Sequence, residues 1–172
     1  MAGDKYLYNN AGVITEKATI QSSAGVGDAG KIGALDATGR FDISMMPVGL
    51  GPEADSITAG ENLAAGDFVN IYSDSGAAKC RKADGSTSGK EAKGFVLAVA
   101  TTGNPATVYR ISQLNNQKTG MTPGAKQYLS ASVPGGTQES VPTGTGQTLQ
   151  LLGIAKSATE VVFAPADPIV LA

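Results

Sequence analysis

Apolar residues along this chain come in short clusters and never in a sustained helical stripe. From Ile57 onward they form runs of a few residues bounded by turn formers, which is the spacing of β-strands. The pattern predicts strands at 67–73, 77–83, 94–100, 107–114, 127–131, 148–155 and 160–164. Turn signals separate them, among them Asp74-Ser75-Gly76, Asp84-Gly85, Asn104-Pro105, Pro123-Gly124 and Gly135-Gly136. One short helical turn fits 62–65. About seven to eight short strands over 56–172 predict an all-β fold, a compact β-barrel or β-sandwich module.

Residues 1–55 have a different texture. Their apolar clusters (Val13-Ile14, Ile20, Ile32 to Leu35, Phe41 to Ile43) are only a few residues long. Gly12, Gly25, Gly27, Gly30, Gly33 and Gly39 interrupt any helix, at about 1 kcal/mol each relative to Ala. The turn formers Met46-Pro47 and Gly51-Pro52 close the region. Such a stretch builds little core of its own, so an extended N-terminal arm that orders against a partner is expected here. Its contact residues are expected to be Ile14, Ile20, Ile32, Leu35, Phe41, Ile43, Met45 and Met46. Met suits an adaptable interface.

A weak internal echo runs through the remainder. Leu63 to Ile71 resembles Met121 to Leu129 at an offset of 58, and Ala92 to Val96 matches Leu151 to Ala155 at an offset of 59. Two related β halves closing on each other would explain it. So would coincidence in a chain this rich in Ala and Gly.

Composition narrows the chemistry. Among 172 residues there is no His and no Trp, a single Cys, and 23 Gly. Without His the chain lacks the commonest proton-transfer side chain and the commonest ligand for transition metals. A binding or building role is therefore expected, with no catalytic residues, no cofactor and no metal. Aromatic residues are only 5%, so the core should consist of small pieces. A net charge of −2 offers no general attraction to nucleic acid or to an anionic membrane. No window approaches the ~18 continuous apolar residues of a membrane span, and the start carries no apolar signal stretch.

Three features invite a functional reading and are better explained otherwise. Gly25-Val26-Gly27-Asp28-Ala29-Gly30-Lys31 satisfies two phosphate-loop patterns, but Ile32 stands where Ser or Thr would hold magnesium. The sequence after it is also a poor helix, so a glycine hinge is expected instead. Asp36 and Asp42 flank a turn and lack the calcium-loop pattern. Cys80, between Lys79 and Arg81, reads as a small inward-facing strand residue beside solvated cations.

Two segments together resemble tailed-bacteriophage virion proteins. Gly33-Ala34-Leu35-Asp36-Ala37-Thr38-Gly39-Arg40-Phe41-Asp42 through Pro47 is similar to a Leu-Asp-x-x-Gly-basic-apolar-Asp stretch of that class. Glu61 through Ile71, Ala92 through Val96, Met121 through Leu129 and Gln150 through Ala155 resemble the small β modules of capsid decoration (cement) proteins. The resemblance implies a non-enzymatic virion component on the outer capsid surface, made in the host cytoplasm. Its implied partners are the major capsid protein and its own copies, as homotrimer or homodimer, with no nucleic acid and no membrane. Similar segments occur in phage fibre and tail proteins, so a tail-tip role stays open.

Overall fold

A computed structural model describes residues 5–37, 39–46 and 53–172. The chain divides into two compact units, Met1–Gly51 and Pro52–Ala172. The division falls a few residues before the expected 55/56 boundary, because the first strand of the second unit already begins at Ala54. The fold is all-β. Two single 3₁₀ turns, Val26–Asp28 and Ile43–Met45, are the helical elements among the described residues.

The first unit opens with a hairpin, β1 (Lys5–Asn10) and β2 (Val13–Ala18), in place of a continuously extended strand. Asn10 pairs with Val13, leaving the two-residue loop Ala11-Gly12. Both loop residues have positive φ, 52° and 92°, the twist that matches a tight hairpin. The Asn9 side chain accepts the Gly12 N–H at 2.8 Å, and Lys17 sits 3.8 Å over the Tyr8 ring. Beyond the hairpin, Ile20 bridges Gly33 in parallel, and the Gln21 amide donates to Leu35 O at 2.8 Å. The run 47–52, expected to close this region with turns, lies outside the described residues.

The second unit contains two sheets of the same plan. The first is built from β3 (Ala54–Ala59), β4 (Phe68–Asp74), β5 (Ala77–Lys82), β6 (Gly94–Val96) and β7 (Pro105–Tyr109). These hydrogen-bond as a closed ring in the order β3-β5-β4-β6-β7. The second uses β8 (Leu114–Asn115), β9 (Lys126–Leu129), β10 (Thr137–Gln138), β12 (Leu151–Ala155) and β13 (Val161–Phe163). Its order is β10-β9-β12-β13-β8. A small pair, β11 (Thr148–Leu149) with β14 (Ile169–Val170), completes the unit. No helix forms at 62–65; Leu63 bridges Ala100 instead.

Reading the ring from β5 gives β5-β4-β6-β7-β3, strand for strand the order of the second sheet. The echo in the sequence is therefore a structural repeat, and its register agrees. Val69 pairs with Gly94 in the first repeat, as Gln127 pairs with Gly153 in the second. Turn bonds recur too: Gly66 N to Val96 O at 2.8 Å matches Gly124 N to Ala155 O at 2.8 Å. The glycines at the paired positions share one cause. A Cβ on Gly94 would stand 2.6 Å from Tyr109 O, and one on Gly153 would overlap Val162 O.

Strand alternation sorts the core into two clusters. Val69, Cys80, Val96, Val108, Leu63 and small alanines fill the ring. The alternate residues Phe68 and Phe95 join Phe163, Leu129 and Leu152 in a cluster drawn from both sheets. Phe163 lies 5.5 Å from Phe68 and 5.8 Å from Phe95, and Phe95 stacks on Tyr109 at 5.6 Å. A core of small pieces thus describes the ring alone. Three of the four Phe residues are gathered where the two repeats meet.

Candidate functional site: an exposed apolar surface on the N-terminal unit

None of the described residues of the first unit is buried. A two-stranded hairpin and a looped segment enclose no interior, so the unit's apolar side chains stay on its surface. Ile14 is 61% exposed and Phe41 55%. Ile32, Leu35 and Met46 are exposed as well, while Ile20 and Met45 are half-buried. The Ile43 side chain lies outside the described part of the structure.

Four of the eight expected contact residues come together. Ile20, Phe41, Met45 and Met46 line one cleft of about 430 Å³, with Ser23, Gly33, Asp28 and Lys31 completing its walls. Gly33 leaves room at its floor: a Cβ there would lie 3.0 Å from Met45 Sδ and 3.6 Å from the Phe41 ring. Ser23 N donates to Ser44 Oγ at 2.8 Å, joining the chain on either side of the cleft. Ile14 stands on the hairpin, and Ile32 and Leu35 do not line the cleft.

Sequence reasoning missed the rest of the hairpin. Leu7, Tyr8 and Val13 are exposed beside Ile14. The register places Leu7 and Ile14 on one face and Tyr8 and Val13 on the other. The signal was present: Asn10-Ala11-Gly12 between Tyr6-Leu7-Tyr8 and Val13-Ile14-Thr15 is a hairpin pattern.

The phosphate-loop pattern folds into something else. Val26–Asp28 is a single 3₁₀ turn with no helix after it. Asp28 accepts the Ala24 N–H at 2.6 Å and the Lys31 ammonium at 2.6 Å. The lysine that would reach a phosphate is thus paired within the turn, and its hydrogen bond holds the Asp28 carboxyl below the usual carboxylate range. Asp42 is held low by bonds from the Ser44 hydroxyl and N–H, and it closes a local turn. Among the described residues no three His, Cys, Asp or Glu side chains cluster as a metal site. The Cys80 thiol is buried inside the ring, which pushes its pKa up and leaves it unreactive.

No family model matches this chain, and no curated protein or solved structure matches it either.

A second cleft, about 260 Å³, lies on the ring beside Tyr72, Arg81, Lys82 and Lys90. Its cations are already engaged. Arg81 covers the Tyr72 ring at 4.5 Å and donates to Asn70 Oδ1 at 3.1 Å and to Gly89 O at 3.1 Å. Lys82 faces Asp67 at 3.5 Å and Lys90 faces Asp84 at 3.6 Å. This surface is electrically self-contained, whereas the N-terminal cleft presents uncovered carbon and sulfur.

Proposed function

We propose that this chain is a non-enzymatic structural protein of a tailed-phage virion. In this reading it decorates the capsid and stabilises it by bridging neighbouring major capsid subunits through its N-terminal unit. The β unit packs against its own copies as a trimer or dimer on the outer capsid surface. The observation that carries the reading is the contrast between the units. Pro52–Ala172 has two filled cores, while the first unit has none and exposes Ile14, Phe41 and Met46. Uncovered apolar surface of that kind is what a partner-binding segment presents before it is covered. The similarity of the 33–47 stretch to tailed-phage virion proteins, and of the β segments to the modules of decoration proteins, supports the capsid as the partner.

The experiment is a co-sedimentation assay with undecorated capsids. Full-length protein carrying Phe41→Asp and Met46→Asp, and a chain lacking residues 1–51, should both lose binding. Retained binding by both would overturn the assignment of the first unit. Electron micrographs of labelled particles separate this reading from the tail-tip alternative: many copies over the head support it, a few at the tail refute it.

A further inference from the structure

The two repeats differ at one seam. In the first, β3 pairs with β7 along one edge and in parallel with β5 along the other, Thr58 opposite Lys79 and Ala59 opposite Cys80. Gly60 N continues the closure by donating to Cys80 O at 2.7 Å. In the second, β8 pairs with β13 and the chain then runs through 116–122 past β10, with no backbone hydrogen bond between the two segments among the described residues.

Side chains cross the gap instead. The Lys118 ammonium donates to Gly135 O at 3.0 Å, and Thr122 N donates to Glu139 Oε1 at 2.6 Å. The two contacts have the same sequence separation, so segments 118–122 and 135–139 run in parallel, as β3 and β5 do. The Gln127 side chain, fully buried on the neighbouring strand β9, braces the β10 side of the gap. Its Oε1 accepts from Thr137 Oγ1 at 3.0 Å and its Nε2 donates to Glu139 Oε1 at 3.3 Å. Val69 occupies the matching register position in the ring. A backbone ladder with an apolar residue behind it has been replaced by a polar side-chain layer.

We propose that this side-chain seam, between 116–122 and β10, is a built-in opening line along which the second repeat parts while the ring stays closed. Glu139 accepts from Thr122 across the gap and from Gln127 on the neighbouring strand β9, so its loss releases one of the two crossing bonds and the contact that holds its carboxylate in place. Parting frees the outer edge of β10, which is the edge that β3 covers on β5 in the first repeat. A strand edge exposed only on opening is a latent pairing surface.

Amide hydrogen exchange by NMR on the full chain tests it. The amides of Lys118 and Met121 point to Thr159 O and Ala158 O, away from β10. These bonds fasten 116–122 to the 158–159 turn, so faster exchange reports that segment lifting from its place as the seam opens, and neither amide bonds to Glu139 itself. In the Glu139→Ala protein both should exchange about tenfold faster, the effect of losing one well-made hydrogen bond from a cooperative unit. The Gly60 and Cys80 amides of the ring should be unchanged. Glu139 is exposed, so the variant retains the core. Acceleration of ring and seam amides by one common factor would overturn the proposal, as would no change at Lys118 and Met121.

Discussion

Lys118→Met should stabilise the protein near neutral pH and remove a pH dependence that the natural chain has. The Lys118 ammonium is largely desolvated against the Phe68 ring, 5.0 Å away, and among the described residues its hydrogen-bond acceptor is Gly135 O. Burial pushes its pKa down from the usual 10.5 to about 8, against a smaller opposing pull from Asp67. At 1.36 kcal/mol per pH unit, this corresponds to roughly 3 kcal/mol of strain in holding the charge. The hydrogen bond forfeited by Met offsets about 1 kcal/mol of that gain. Gly135 O keeps its bond from Phe68 N at 3.0 Å and is not orphaned. The expected gain at pH 7 is therefore about 1–2 kcal/mol. Between pH 8 and 10.5 the unfolded chain still binds this proton while the folded chain has released it. Stability of the natural protein should thus rise with pH across that window, and the advantage of Met should shrink. Urea unfolding of both proteins at pH 7 and pH 10 measures this, and subtraction cancels the other lysines. A difference between the two proteins that is the same at both pH values would refute the reasoning.

Four further outcomes follow from the same geometry. Gly153→Ala should cost about 3 kcal/mol or more, because its methyl overlaps Val162 O on a backbone with φ of 150°; Gly76→Ala, strained but open, should cost about 1 kcal/mol, both read by thermal melting. Phe163→Ala should cost about 3–5 kcal/mol in denaturant unfolding, since one ring packs on both Phe68 and Phe95. Gly33→Val should fill the floor of the N-terminal cleft and weaken capsid co-sedimentation at least about tenfold, equivalent to ~1.4 kcal/mol, with the melting of the β unit unchanged. Cys80 should resist a thiol reagent until the protein unfolds, so that labelling tracks the unfolding transition.

Most strands of the second unit were legible because both devices that mark them are local; β3, β10 and β14 carry neither and were not foreseen. Alternation at Phe68-Val69 and Phe95-Val96, and turns at Asp74-Ser75-Gly76, required no knowledge of distant contacts. The internal echo was visible for the same reason, since Gly94 and Gly153 meet the same obstacle at the same point of the repeat. Ring closure was not legible, because it depends on Thr58 meeting Lys79 in parallel, a pairing that no turn residue announces. The strand Ala54–Ala59 was not foreseen, because Ala54, Asp55 and Ser56 look like a loop; their partners Tyr109, Val108 and Thr107 make them a strand. In the first unit the exposed apolar residues are visible in the sequence but their grouping is not. Ile20 and Phe41 share a cleft through a turn pinned by Asp28, and that turn read as a hinge. The polar seam was invisible in sequence, because Gln127 looks like a solvent-facing strand residue until its partners Thr137 and Glu139 arrive.

All five strands of the closed ring lie between Ala54 and Tyr109, without a contribution from later in the chain. During synthesis the ring can therefore complete itself before β9 leaves the ribosome. Its outward rings, Phe68 and Phe95, then wait on the nascent surface for Phe163 to emerge. The second half of the molecule is thus assembled on a finished template, and the interval before that aromatic arrives is the moment when this chain is most exposed to self-association.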